Sequence, residues 1–201
     1  TCGSAATAGV LVKTLGLPNP IRLDRYVAGA PLVSGTVALG GDGRVAKLLP
    51  SILDGLAITS VAPDAETASG QKYKGLVFDA TTIADTAGLV ALQEFFQPLL
   101  RSLEKCSRVV VLGTTPETLN GSARVAQRAL EGFTRSLAKE MGKGGTVQLV
   151  YVSEGAENSI ASTLGFLLSP KSAYVSGQVV RIGAHGSQKA DKVADWSAPL
   201  A

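Results

Sequence analysis

The chain has 201 residues but a single histidine, His185, and two cysteines, Cys2 and Cys106. That scarcity excludes much chemistry. A Ser-His-Asp or Cys-His arrangement would have to recruit His185, which stands in a polar stretch apart from the apolar segments. Neither cysteine falls into metal-ligand spacing, and there is no Gly-x-x-x-x-Gly-Lys-Ser/Thr phosphate loop. Cys106 precedes an apolar strand, where a cysteine is usually a small core residue. No secretory leader implies an oxidising compartment, so a cytoplasmic protein is the expectation. No apolar run reaches the ~18 residues that span a bilayer, so no membrane partner is expected. Charge is also sparse. Charged residues are 17%, the formal net charge is +3, and Lys and Arg are scattered. Without a basic run interleaved with aromatics, a nucleic-acid surface is not expected.

What remains is rich in Ala, Gly, Val and Leu, with 45% hydrophobic residues and only 5% aromatics. This suits one α/β domain with thin helices packed on a sheet. Residues 1–34 read as a helical appendage, helical over Thr7–Tyr26 but broken at Pro18 and Pro20. Regular alternation begins at Gly35. Thr36–Leu39 is a strand ending in the turn Gly40-Gly41. Arg44–Leu53 has helical spacing with a kink expected at Pro50. Leu56–Val61 and Gly75–Asp79 are strands without a helix between them. Thr86–Glu104 carries Leu89, Leu92, Phe96, Leu99 and Leu103 at steps of three and four, a helix with one buried face. Arg108–Leu112 is apolar on both faces, as a central parallel strand requires.

The longest helix spans Asn120–Met141. Ala126, Leu130, Phe133, Leu137 and Met141 form one stripe, and Val125, Ala129, Gly132 and Ser136 a second, of small residues. Thr146–Val152 is a strand, Ile160–Leu168 a helix, and Gly177–Ile182 the sixth strand. Right-handed crossovers then predict a three-layer, doubly wound, mostly parallel six-stranded sheet over residues 35–183, Rossmann- or flavodoxin-like. Residues 184–201 read as a linker.

Two stretches, Ala129-Leu-Glu-Gly-Phe-Thr-Arg-Ser-Leu-Ala-Lys-Glu140 and Phe166–Val180, resemble the central helix and the closing helix-to-strand segment of short-chain dehydrogenases/reductases. Adding Gly75–Ala80, Glu94–Pro98, Arg108–Val111 and Asp195-Trp196 gives a closer resemblance. It is to the amino-terminal module of the high-molecular-weight 3-oxoacyl-[acyl-carrier-protein] reductases. Those proteins join a degenerate flavodoxin-like module to a working NAD(P)-dependent ketoreductase. The resemblance implies that residues 184–201 lead toward that catalytic domain, which would be this module's partner. It also implies that NAD(P)H serves the partner, with no cofactor in this domain. Helices 86–104 and 120–141 correspond to those that form the family's subunit interface, so a homo-oligomer is expected through them.

The resemblance also says where chemistry would lie. The family's active site uses a Tyr and a Lys four residues apart on the long helix. Here those positions hold Ala123 and Gln127, and neither can transfer a proton near neutral pH. Shifted by one residue they hold Arg124 and Arg128, which stay charged. Thr114 or Thr115 stands near the place of the family's carbonyl-polarising Ser, although a Thr before Pro commonly serves a turn. Asp79-Ala80-Thr81 replaces the family's Asn-Ala-Gly, and Asp79 is expected at most to cap a helix.

Gly40, Gly41 and Gly43 occupy the place of the dinucleotide turn. The turn is shorter than the family's Gly-x-x-x-Gly-x-Gly, and it puts Asp42 where phosphates would lie. Three readings stand: a non-catalytic structural module of a 3-oxoacyl-[acyl-carrier-protein] reductase, a stand-alone NAD(P)- or FMN-binding domain, and a weakly active dehydrogenase using Thr114 with an arginine.

Overall fold

The structure is a computed structural model and describes residues 21–63 and 70–183. Its strands are β1 (Val37–Gly41), β2 (Ser60–Val61), β3 (Tyr73–Asp79), β4 (Leu103–Gly113), β5 (Thr146–Val152) and β6 (Gln178–Ile182). Its helices are α1 (Leu49–Gly55), α2 (Val90–Leu99), α3 (Gly121–Glu140) and α4 (Ala161–Leu168). The strands form one sheet in the order β2-β1-β3-β4-β5-β6, and every pairing is parallel. The predicted α/β doubly wound sheet is therefore present, with six strands and helices on both faces.

Alternate side chains of the central strands feed two cores. Val77, Val110, Leu112 and Val150 pack with Leu49 and Leu53 of α1 and Leu164 and Leu167 of α4. Leu76, Phe78, Val109, Val111 and Leu149 pack on the other face with Leu92, Phe96 and Leu99 of α2 and Leu130 of α3. Every residue of β3 and β5 is buried, which explains why their centres carry apolar residues on both faces, with the polar Lys74, Asp79, Thr146 and Gln148 toward the strand ends or bonded to protein.

Five boundaries depart from expectation. The strand expected over Leu56–Val61 is reduced to Ser60–Val61, because Leu56 and Ala57 form the turn that ends α1, with Ala57 at φ +55°. Pro50 does not kink a helix: residues 43–48 form turns, and α1 starts at Leu49 with Pro50 in its first turn, where a missing N–H goes unused. β1 runs through Gly40 and Gly41 instead of stopping before them. The helix expected to reach Glu104 ends its α-helical part at Leu99, just after Pro98, and Leu103 already belongs to β4. Leu103 pairs with Tyr73 before a register shift brings Arg108 opposite Gly75, and Cys106 takes φ +53° in that irregular stretch. Residues 21–26, expected as the end of an appended helix, have no helical structure and run along the amino ends of the strands. The remainder of that appendage (residues 7–20) and the 184–201 segment lie outside the described residues.

Both stripes of α3 are placed. Ala126, Gln127, Leu130 and Thr134 face the sheet. Val125, 58% exposed, lies with Ala129, Gly132 and Ser136 on the outer surface. No described helix is long and apolar enough to cross a membrane.

Candidate functional site

In open parallel sheets, ligands bind beyond the carboxyl ends of the strands where successive connections diverge. Here that point lies between β1, followed outward by β2, and its other neighbour β3. The residues gathered there are the turn after β1, Asp79 at the end of β3 and Thr81 beyond it, Thr114 after β4, and Val152 at the end of β5 with Glu157 beyond it.

The turn's glycines are explained by close approach of the chain to itself. A side chain at Gly40 would collide with the Phe95 ring, one at Gly41 (φ +82°) with the Asp79 backbone, and one at Gly43 with the Asp79 carboxylate and the Thr81 hydroxyl. Two backbone N–H groups at the end of this turn, of the kind that in a dinucleotide site would meet a pyrophosphate, are bonded to side chains at the end of β3 and just beyond it. Arg44 N donates to Thr81 Oγ1 at 2.8 Å, and Val45 N donates to Asp79 Oδ2 at 2.7 Å. Asp79 Oδ1 accepts from Thr81 N at 3.0 Å and from Thr81 Oγ1 at 2.7 Å. The carboxylate on the turn is thus that of Asp79, while Asp42 is exposed. Asp79 therefore holds two turns, where a helix cap was expected of it.

Arg44 ties the loops of the crevice together. Its guanidinium donates from Nη2 to Thr114 Oγ1 at 3.0 Å and to Val152 O at 2.8 Å, and its Nη1 pairs with Glu157. Thr114 Oγ1 in turn donates to Thr81 O at 2.8 Å. The hydroxyl expected as a catalytic remnant therefore bridges two loops and an arginine.

Gln127 is fully buried and spends its amide on the same loops. Its Oε1 accepts from Thr114 N at 2.7 Å, and its Nε2 donates to Ala80 O at 2.7 Å and Ile83 O at 2.9 Å. Ala123 lies one helical turn earlier with no polar atom on its side chain. The structure brings Gln127, Thr114 and the glycine turn into one network.

One tyrosine reaches this region from elsewhere. Tyr151 donates its hydroxyl to Gln127 O at 2.8 Å, and burial, with the adjacent Glu131 carboxylate, pushes its phenol above the usual range. That is the reverse of the lowered value a proton-donating tyrosine needs.

Arg44, Thr81 and Glu157 were not singled out from sequence. The one available signal was an arginine directly after a glycine turn. Among the described residues no group of three His, Cys, Asp or Glu could hold a metal ion.

No protein-family model matches the chain, and no curated protein matches it by sequence. Solved structures do. A short-chain dehydrogenase/reductase, glucose/ribitol dehydrogenase, from Brucella melitensis superimposes with a TM-score of 0.60 at 16% identity, covering 81% of this chain and 98% of that one. A short-chain dehydrogenase family protein from Francisella tularensis gives 0.58 at 13% identity, with 75% and 97% coverage. A mutant short-chain dehydrogenase/reductase from Serratia marcescens gives 0.56 at 18% identity, with 77% and 98% coverage. At these identities the likeness concerns the backbone, and the chain has the fold of the short-chain dehydrogenases/reductases.

Proposed function

We propose that this chain is a non-catalytic module built on a dehydrogenase scaffold, serving a 3-oxoacyl-[acyl-carrier-protein] reductase by docking and oligomerisation. The observation that carries the first half is how the crevice is tied together: Arg44 N, Val45 N, Gln127 and Thr114 are bonded to protein, and the Arg44 guanidinium joins three of the loops. A nucleotide phosphate would have to displace Asp79 from two N–H groups, and Arg44 from a carboxylate and a carbonyl. Fold alone assigns no function, so the reductase parentage rests on the sequence resemblance. In this reading NAD(P)H belongs to the partner ketoreductase domain.

The docking half is supported by the outer faces of α2 and α3. A cavity of about 560 Å³, almost wholly apolar in its lining, lies between them against Leu92, Phe96, Leu100 and Phe133. Val90 is 53% and Val125 58% exposed beside it. Contiguous apolar surface of this kind is typical of an interface.

Thermal unfolding with NADH, NADPH or FMN tests the first half. A bound ligand at about 100 times its Kd would stabilise the native state by about 2.7 kcal/mol. No shift at millimolar cofactor is expected, and a saturable rise would replace this reading with that of a nucleotide-binding domain. Sedimentation tests the second half: a dimer or larger species is expected, reduced to monomer by Ala129→Arg. A monomeric wild type would refute oligomerisation through these helices.

A further inference from the structure

At the opposite end of the sheet, Arg108 begins the regular part of β4 with only 2% of its surface exposed and no carboxylate bonded to it. Its Nε donates to Ser169 O at 3.3 Å, and its Nη1 is shared among Cys106 O, Ser107 O and Gly144 O at 2.9, 3.2 and 3.3 Å. Nη2 has no partner. It is not sealed in, because the only enclosed, unpartnered side-chain polar atoms among the described residues are the hydroxyls of Thr134 and Thr146. Arg108 lines a cavity of about 360 Å³.

That cavity is bordered by the 24–34 strap, the starts of β3 and β4, and the end of α4. Lys74, 7% exposed, lies in it with Nζ on Asp24 Oδ2 at 2.6 Å and on Lys105 O at 2.8 Å. The hydrogen bond from Lys74 holds the Asp24 carboxyl below its usual range, so this acid stays ionised and is committed to Lys74. Arg25 and Lys105 add positive charge, and Glu104 is the one further carboxylate in the lining. The walls thus carry four cationic side chains against two carboxylates. Leu32, Val33 and Leu168 supply an apolar side.

A buried guanidinium with an unpartnered Nη2, in the wall of a cavity of surplus positive charge, has the chemistry of an anion receptor. Bidentate or charge-assisted bonds to an oxyanion are the strong contacts such a group makes. We propose that this cavity binds the oxyanion group of a small molecule, a carboxylate or a phosphate, on Arg108 Nη2, with its remaining atoms against Leu32 and Leu168. The site is remote from the carboxyl-end crevice and does not depend on how that crevice is read.

The test is a titration of the full chain, followed by ¹H–¹⁵N NMR, with inorganic phosphate in one arm and butyrate in the other, at constant ionic strength in chloride. Saturable shifts are expected at the Arg108 guanidinium and at the Tyr26 and Lys105 amides, with a Kd of about 1 mM or tighter. Phosphate alone, butyrate alone or both would identify the oxyanion. Arg108→Lys is expected to weaken binding about tenfold. Because that variant disturbs four carbonyl contacts, Lys105→Glu at the exposed rim serves as the second, and is expected to weaken binding at least threefold with unfolding unchanged. Absence of saturable shifts in both arms, shifts centred elsewhere, or unchanged affinity in Lys105→Glu would overturn the proposal.

Discussion

Arg44 Nη2 donates to Thr114 Oγ1 at 3.0 Å across seventy positions of sequence, tying the turn after β1 to the loop after β4. The same guanidinium holds Val152 O and Glu157. Arg44→Ala removes all three contacts at once and leaves Glu157 without its cation. Loss of charge-assisted hydrogen bonds of this kind costs about 1–3 kcal/mol, and the partial exposure of the pair places the effect toward the lower end. Chemical denaturation should show a lower midpoint with an unchanged slope. If an occupied crevice is the only obstacle to cofactor, this variant should also gain NAD(P)H affinity. We expect none, because Asp79 and Thr81 still hold the turn amides.

Restoring the family's residue pair should fail for a physical reason. Gln127 both accepts, from Thr114 N, and donates, to Ala80 O and Ile83 O. Lys can only donate. Gln127→Lys strands the Thr114 N–H and places a charge at a fully buried position. The expected destabilisation is about 3 kcal/mol or more. Ala123→Tyr combined with Gln127→Lys should show no turnover of a 3-oxoacyl thioester with NADH or NADPH. Measurable turnover would mean that the scaffold had kept its cofactor geometry.

Glu117 supplies a pH test. Hydrogen bonds from Arg181 first, then Arg128, lower its carboxyl from the usual 4.5 to about 2. A carboxyl depressed in the folded state stabilises it above the unfolded pKa, and the contribution is lost as pH falls through the folded value. The gap in Tm between wild type and Glu117→Gln should therefore be fully open at neutral pH and close between about pH 5 and about pH 2. Added salt should narrow it at neutral pH, because both partners are half exposed. A gap that ignores pH would remove this ion-pair cluster as its source.

The fold was legible because its period-breaking residues agree with its apolar runs. Arg108–Leu112 and Thr146–Val152 are apolar on both faces because both faces are covered. The spacing of Leu99 and Leu103 misled, since a helix face and a strand entering the core use the same leucines; the backbone switches to extended at Leu103. For the site, the sequence shows that neither Ala123 nor Gln127, the positions the resemblance assigns to the proton-donating pair, carries a proton donor. The network that ties the crevice's loops together was not legible. It depends on Arg44, Thr81, Thr114 and Glu157 meeting across four separate loops, and contacts over such separations leave no local pattern.

Two threonines should respond to the same substitution with opposite sign. Thr134 Oγ1, on the buried face of α3, has no hydrogen-bond partner. A desolvated hydroxyl without a partner is unfavourable, so Thr134→Val removes a penalty and keeps the branched shape that fits the site. Helix propensity does not oppose the change, because Thr and Val rank together. A gain of roughly 1 kcal/mol is expected, which for a chain of this size is a rise in Tm of about 2–4 °C. Thr114 Oγ1 instead donates to Thr81 O and accepts from Arg44 Nη2. Thr114→Val breaks both bonds and leaves Thr81 O and one guanidinium N–H unpaired, so a loss of about 1–3 kcal/mol follows. Equal and small shifts in the two variants would mean that neither hydroxyl is placed as described, and the network that ties the crevice's loops together would lose its central member.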